Sequence, residues 1–331
     1  MKSTEEKIRP KNLIKQAKIY FDQDVNYLRK NKNTFVEVDC PACKSNKKKF
    51  YFKKKIFKYF TCNKCETVYV TPRPSEKLLF NFYKNSKLYS FWNNFIFPAS
   101  ERERKKIIFK PRTKKIIKIL KKNLIKNNGL IDIGAGHGTF CEVVKNTGFF
   151  KKVIAIEPNY DGYLKCKEKK IETYNCSIEN LKKTKIKNIN VATSFEVIEH
   201  VFNPKKFIQK IVKKLSTQSV IILTCPNAKG FDVQTLHKKS DTYDHEHLNY
   251  FNPFSINVLL KRCNLKTIEI ITPGELDLDI IFNKFKEKKI SFKNFFFINL
   301  MKDKKLRYNF QNFIKKNNLS SHMWVIAKKI R

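Results

Sequence analysis

No stretch of the 331-residue sequence approaches the ~20 consecutive apolar residues that cross a bilayer as a helix, so a spanning helix is excluded. The opening residues, MKSTEEKIRP, lack the apolar segment of a secretory signal, and a cytoplasmic location is expected. Two nucleotide loops are also missing. No Gly-Lys-Ser/Thr closes a P-loop, and Thr139 stands where the third glycine of a Gly-x-Gly-x-x-Gly dinucleotide loop belongs. Arginine is scarce, nine among 70 basic residues, although the formal net charge is +41. Arginine is the residue suited to bidentate phosphate and base contacts. The charge therefore reads mainly as a solvated lysine surface in a composition skewed to Lys, Asn, Ile and Phe. A polyanion partner is the lesser reading.

Cysteine is present in a pattern. Nine occur; Cys141, Cys166, Cys176, Cys225 and Cys263 are scattered and read as small core residues of a reduced protein. The other four form two knuckles, Cys40-x2-Cys43 and Cys62-x2-Cys65. Two such knuckles close a tetrahedral four-cysteine zinc site, and four cysteines leave no open position, so the zinc is expected to be structural. The intervening KFYFKKKIFKYF alternates as hairpin strands do. After Pro72 and Pro74, helical spacing appears in Leu79, Phe82 and Tyr83, and again in Ile116, Ile117 and Leu120. Tyr83, Tyr89 and Trp92 are placed either to roof a pocket or to fill a helix core.

From Leu130 strands and helices alternate. GLIDIGAG, KVIAIEP, IETYNCS, NVATSFEVIEH and SVIILTCPN read as five strands, which implies a parallel sheet wrapped by helices with ligands at the carboxyl ends. The glycines of LIDIGAGHGTF let the backbone approach a ligand closely. Asp132, two residues ahead of them, would repel a pyrophosphate but suits a cation. Glu157, ending the second strand before Pro158, can accept from both hydroxyls of a ribose. A nucleoside with a positive group and no phosphate meets these demands, and S-adenosylmethionine is such a molecule.

These residues resemble the class I S-adenosylmethionine-dependent methyltransferases over about Gly129 to Pro226. DIGAGHG resembles the family's first motif, which implies cofactor contacts at Asp132, Gly134, Ala135, Gly136 and Gly138. IEP resembles its ribose-binding acid, Glu157 with Pro158. NCSIENL resembles the adenine-reading turn, at Ser177, Ile178 and Glu179. FEVIEHV resembles the motif beside the methionine moiety, at Phe195, Glu196 and Val197. The fold implied is an α/β, Rossmann-like doubly wound sheet of seven strands, the last antiparallel, with LKTIEIITPG and HMWVIAKK as its last two strands.

The layout also resembles the sugar C-methyltransferases and their relatives, in which a four-cysteine module, aromatic helices and EHLNYF occur together. Their acid-base stretch resembles Tyr-x-Glu-His; Glu246 and His247 match, but Asp244 occupies the tyrosine position and Tyr243 lies one residue away. His247 is expected as a general base, oriented by Glu246, with His200 across the pocket and Tyr243 as a substitute for the tyrosine. The expected acceptor is a small molecule, an anionic sugar or nucleotide-sugar. The alternative is an RNA methyltransferase that holds nucleic acid with its module and basic surface. The expected parts are an N-terminal helical segment (1–35), the zinc-binding module (36–74), a helical lid or linker (75–128), the cofactor-binding core (129–272), and a C-terminal helical insert plus final strand (273–331). The Phe/Lys-rich insert reads as packed on the core rather than as a membrane face.

Overall fold

The structure, a computed structural model, describes residues 4–181 and 186–330. Two sheets organise it. The smaller begins with a hairpin, β1 (Lys48–Lys54) and β2 (Phe57–Cys62), followed by β3 (Val68–Val70). The larger is built from β4 (Leu130–Ile133), β5 (Val153–Ile156), β6 (Glu172–Tyr174), β7 (Val191–Phe195) and β8 (Val220–Pro226). Three further strands complete the set: β9 (Asn249–Tyr250) joins the small sheet, while β10 (Leu265–Ile271) and β11 (His322–Lys329) close one edge of the large one.

The large sheet runs β10-β11-β8-β7-β4-β5-β6, and β11 is antiparallel to both of its neighbours. Every residue of β4 and β5 is buried. That fits the Val, Ile and Ala of β5 and the Leu and Ile around Asp132 in β4, because a parallel strand covered on both faces has no solvent-facing side. Helices Lys110–Lys122, Thr139–Lys145 and Tyr160–Glu168 fill one face with Ile116, Leu120, Phe140 and Cys166. Helices Pro204–Val212 and Pro253–Lys261 fill the other with Phe207, Ile211, Ile256 and Leu260. The strand order reverses between β4 and β7, so their carboxyl ends open a crevice for a ligand.

The four-cysteine segment does not stand alone over 36–74. Its sheet has the order β9-β3-β2-β1, and β9 comes from a chain segment that follows β8. Between the sheets, helices Glu76–Asn85, Lys87–Phe91, Phe97–Arg104 and Lys110–Lys122 are linked by π turns at Trp92–Ile96 and Lys105–Phe109. The N-terminal helix Lys11–Lys30 packs on them through Ala17, Leu88, Phe91 and Ile96. The segment before β11 forms three helices, Asp277–Lys286, Phe295–Lys302 and Lys304–Lys316, gathered around Leu278, Ile281, Met301 and Ile314. Phe295, Phe296, Tyr308 and Phe313 of that insert stay exposed. Among the described residues no helix is long and apolar enough to cross a membrane.

Candidate active site

The glycine loop follows β4. Gly134 takes φ +76°, and a Cβ there would meet Val197 Cγ2 at 2.6 Å. A side chain is thus excluded both by backbone conformation and by the turn after β7. Gly136 has open space around its missing Cβ, and its N–H donates to Glu157 Oε2 at 2.7 Å. The other carboxylate oxygen of Glu157 accepts from Asn159 N at 2.9 Å. Burial nevertheless pushes the Glu157 carboxyl up to about 7. Two backbone donors use only part of a carboxylate's four acceptor directions, so Glu157 keeps capacity for a ligand.

Asp132 is more enclosed than the sequence suggests. Its Oδ1 accepts from Thr193 Oγ1 at 2.6 Å and its Oδ2 from the Cys141 thiol at 3.6 Å. Burial raises its carboxyl to about 6 against these bonds. Ala135, Pro158 and Ser177 line the same cleft as the glycines and Glu157. Ile178 lines it as well, although its side chain is largely buried against the core. Residues 182–185, just after that turn, lie outside the described set.

The expected fourth strand ends earlier than NVATSFEVIEH implied. It stops at Phe195, because Glu196 adopts φ +55° and turns the chain, leaving EVIEH as a loop. Phe195 carries the Arg112 guanidinium over its ring at 4.2 Å. Glu196 accepts from Thr224 Oγ1 at 2.6 Å and from His322 Nε2 at 3.0 Å. His322, with Thr224 and Arg112, holds the carboxyl down near 2, although the Glu196 side chain is 44% exposed. Arg112 and His322 carry no motif, and nothing in the sequence marks them.

His200 and His247 come together, their ring centroids 4.5 Å apart. His247 Nδ1 sits 2.8 Å from the Thr242 carbonyl, and His200 Nδ1 sits 3.2 Å from the Glu246 carbonyl and 3.1 Å from Tyr83 Oη. Burial, then the neighbouring His247, push His200 down to about 3, so it is neutral. Two expectations fail here. Glu246 does not orient His247. Asp244 does, with Oδ2 3.5 Å from His247 Nδ1 and Oδ1 accepting the backbone N–H groups of Glu246 at 2.9 Å and His247 at 2.8 Å. A short aspartate two and three residues ahead can cap that turn, whereas Glu246 Oε1 has no hydrogen-bond partner among the described residues. Tyr243 does not reach the pair either: it is wholly buried among Phe52, Tyr59 and Tyr250. Tyr83, from the helical segment, is the phenol beside the histidines.

The small sheet holds this loop. Fully buried Arg73 donates to Val70 O, Phe202 O, Leu248 O and Asn249 Oδ1, and Asn249 Nδ2 donates to Val201 O at 2.8 Å. Tyr59 Oη donates to Asp244 O and Tyr250 Oη to His247 O, each at 3.0 Å. Within the module, Cys40, Cys43, Cys62 and Cys65 place their sulfurs within 4.8 Å of one another. Each knuckle turns through a residue of positive φ, Lys44 and Glu66. Four converging sulfurs on two such turns fit one tetrahedral ion.

The glycine loop, Asp132, Glu157, Glu196, Tyr83, His200 and His247 line one continuous cleft of about 2580 Å³. That exceeds the 300–1,000 Å³ usual for a single small ligand, so it has room for a cofactor and an acceptor. A family model described as a methyltransferase domain matches residues 101–270, more than half of the chain. The chain belongs to the methyltransferase-domain family. No curated protein matches the methyltransferase's sequence. Among solved structures, the plantazolicin methyltransferase BpumL in complex with SAH is 15% identical at a TM-score of 0.50, covering 77% of this methyltransferase and 95% of that chain. An S-adenosylmethionine-dependent methyltransferase from Clostridium acetobutylicum ATCC 824 is 12% identical, with a TM-score of 0.48 and coverage of 72% and 98%. One from Archaeoglobus fulgidus is 18% identical, with the same TM-score and coverage of 71% and 100%. At such identities the likeness concerns the fold.

Proposed function

We propose that the protein transfers the methyl group of S-adenosylmethionine to a small anionic acceptor, a sugar or nucleotide-sugar, bound over His200 and His247. The observation that carries this reading is the meeting, in one cleft, of the Gly136–Glu157 cradle at the end of β5 and the histidine pair beyond β7. The cradle suits an adenosine: the Gly134 position has no room for a side chain, and Glu157 retains free acceptor directions for ribose hydroxyls. S-adenosylmethionine supplies an activated methyl on a sulfonium. Asp132 and Glu196 add negative charge to that part of the cleft, which favours a cation. Ser177 and the backbone of Ile178 are assigned to the adenine side, and Phe195 and Val197 to the methionine side.

Methyl transfer is an in-line displacement in which positioning does most of the work. An acceptor hydroxyl or carbon acid must also lose a proton, and the pair His200 and His247 is the part of the cleft assigned to that step. The sugar assignment is supported by the resemblance of Glu246-His247 and EHLNYF to the sugar C-methyltransferases. Arg112 and the +41 net charge suit an anionic acceptor. Cys40, Cys43, Cys62 and Cys65 are assigned a structural zinc that braces the strand carrying Asn249 and Tyr250. Calorimetry tests the cofactor: Glu157→Ala removes a charged acceptor whose bonds are each worth ~1.5–3 kcal/mol, and unchanged affinity for S-adenosylmethionine would refute the assignment. Nucleotide-sugars and bulk RNA, screened with labelled methyl donor, separate the sugar acceptor from the RNA alternative.

A further inference from the structure

Beside the cleft lies a carboxylate with no stated purpose. Glu199 is 0% exposed, and neither of its oxygens has a hydrogen-bond partner on another residue among the described residues. A buried ionised carboxylate left bare is costly. It is not remote from other functional groups. One Glu199 oxygen and one ring nitrogen from each of His200 and His247 all lie within 4.8 Å of one another.

The histidines are already committed on one side. His247 Nδ1 faces the Thr242 carbonyl and His200 Nδ1 faces the Glu246 carbonyl. A carbonyl can only accept, so His247 carries its proton on Nδ1 and keeps a lone pair on Nε2, while His200 Nδ1 faces both the Glu246 carbonyl and Tyr83 Oη. A carboxyl oxygen and two imidazole nitrogens thus converge within 4.8 Å. This is also the way metal-ligating histidines are held, one ring N–H on a backbone carbonyl and the other nitrogen on the ion.

We propose that Glu199, His200 and His247 form a second metal site, for a divalent transition cation, distinct from the four-cysteine site. Two imidazoles and one carboxylate select a borderline cation such as zinc, iron(II) or cobalt(II) over magnesium or calcium, which prefer oxygen alone. Three protein ligands leave positions open, the mark of a catalytic rather than a structural ion. The inference rests on the methyltransferase reading for its role. An acceptor hydroxyl ligated there has a lowered pKa and releases its proton to water. Its oxygen then bonds to the methyl carbon, the S–CH3 bond breaks, and the sulfur keeps the electron pair as S-adenosylhomocysteine leaves.

The competing explanation is a permanently protonated Glu199 that serves only packing. Glu199→Gln distinguishes the two, because the amide keeps the size and neutrality of the acid but is a poor ligand. The full-length protein and the variants Glu199→Gln and His200→Ala/His247→Ala are dialysed against zinc, cobalt(II) and manganese(II) in turn, and bound metal per chain is counted. Affinity for S-adenosylmethionine is measured on the same samples by calorimetry. The wild type is expected to hold one more transition ion per chain than either variant, with cofactor affinity unchanged, and Glu199→Gln to weaken the second ion by about tenfold or more. Equal metal content in wild type and variants, or a second ion retained in Glu199→Gln at wild-type affinity, overturns the site while cofactor binding leaves the methyltransferase reading standing. Failure of the wild type to bind cofactor refutes that reading instead, and the metal count is still decided.

Discussion

Replacing Arg73 with methionine tests whether the small sheet positions the acceptor side of the cleft. Arg73 is 1% exposed and has no carboxylate partner in its hydrogen bonds. It is held instead by the Asn249 side chain at 2.9 Å, the Val70 carbonyl at 3.0 Å, and the Phe202 and Leu248 carbonyls at 3.3 Å. These acceptors belong to three segments: the end of β3, the loop after His200, and the residues joining His247 to β9. Bonds to a charged donor contribute about 1.5–3 kcal/mol each. Counting the two short ones gives a gross loss of about 3–6 kcal/mol. Methionine also relieves the cost of burying a guanidinium, which moves the net toward the lower end. It leaves acceptors unpaired, which moves the net back up. A loss of about 3–5 kcal/mol is expected, a large part of the 5–15 kcal/mol that holds most domains folded. Denaturant unfolding measures it.

The decisive comparison is between two functions of the same variant. The Gly134–Gly138 loop and Glu157 make no contact with Arg73 in its hydrogen-bond set, so cofactor affinity should survive in the folded fraction. Methyl transfer should fall, because the loops bearing His200 and His247 lose their common anchor. A stability change below ~1 kcal/mol, the size of an ordinary surface substitution, would refute the reasoning. So would parallel loss of cofactor affinity and turnover, which would make Arg73 a general brace rather than an organiser of one side.

Three further outcomes follow from the same geometry. Gly134→Ala places a Cβ 2.6 Å from Val197 Cγ2 at φ +76°, so calorimetry should show weakened cofactor binding; wild-type affinity would mean the loop yields easily. Protein purified without chelator should contain zinc on the four cysteines, and its removal should lower the unfolding temperature, because so small a sheet depends on its ion; four titratable thiols in protein of unchanged stability would count against this. His247→Asn should cut turnover of the screened acceptor by ~10²–10⁴ while cofactor affinity holds, and turnover within a few-fold of wild type would leave the histidine a packing role.

What the sequence makes legible is local. The glycine loop, Glu157, the two cysteine knuckles and the buried strands are each signalled within a short window, by spacing or by an apolar run. The acceptor side is assembled from pairs far apart in the chain: Tyr83 with His200, Arg73 with Asn249, Tyr59 with Asp244. No periodicity announces such pairs, since they exist only once β9 has added itself to the small sheet, and two residues are too few to read as a strand. Asp244 and Glu246 show the same limit at closer range. They flank His245 and both precede His247, and only the turn's backbone decides that the shorter acid faces the His247 imidazole. Glu199 was in plain view beside His200, but its lack of a partner is a property of the folded interior.

This division has a mechanical consequence. The Gly136–Glu157 cradle of the cofactor side is closed by contacts between residues 136 and 159, within two successive strand-to-helix turns, and none of these contacts involves the small sheet. The acceptor side needs three separate chain segments in register, and the segment that registers them is the one bearing the four cysteines. Asn252 extends the link, donating to the Cys65 carbonyl at 3.3 Å and the Glu66 carbonyl at 3.0 Å, and Arg262 reaches the Ala42 carbonyl at 2.6 Å. The second knuckle is therefore bonded to the stretch that follows His247, and the first to the helix beyond it. An ion that fixes the knuckles fixes where His247 stands, so a zinc with no open coordination position can still govern the acceptor without touching it.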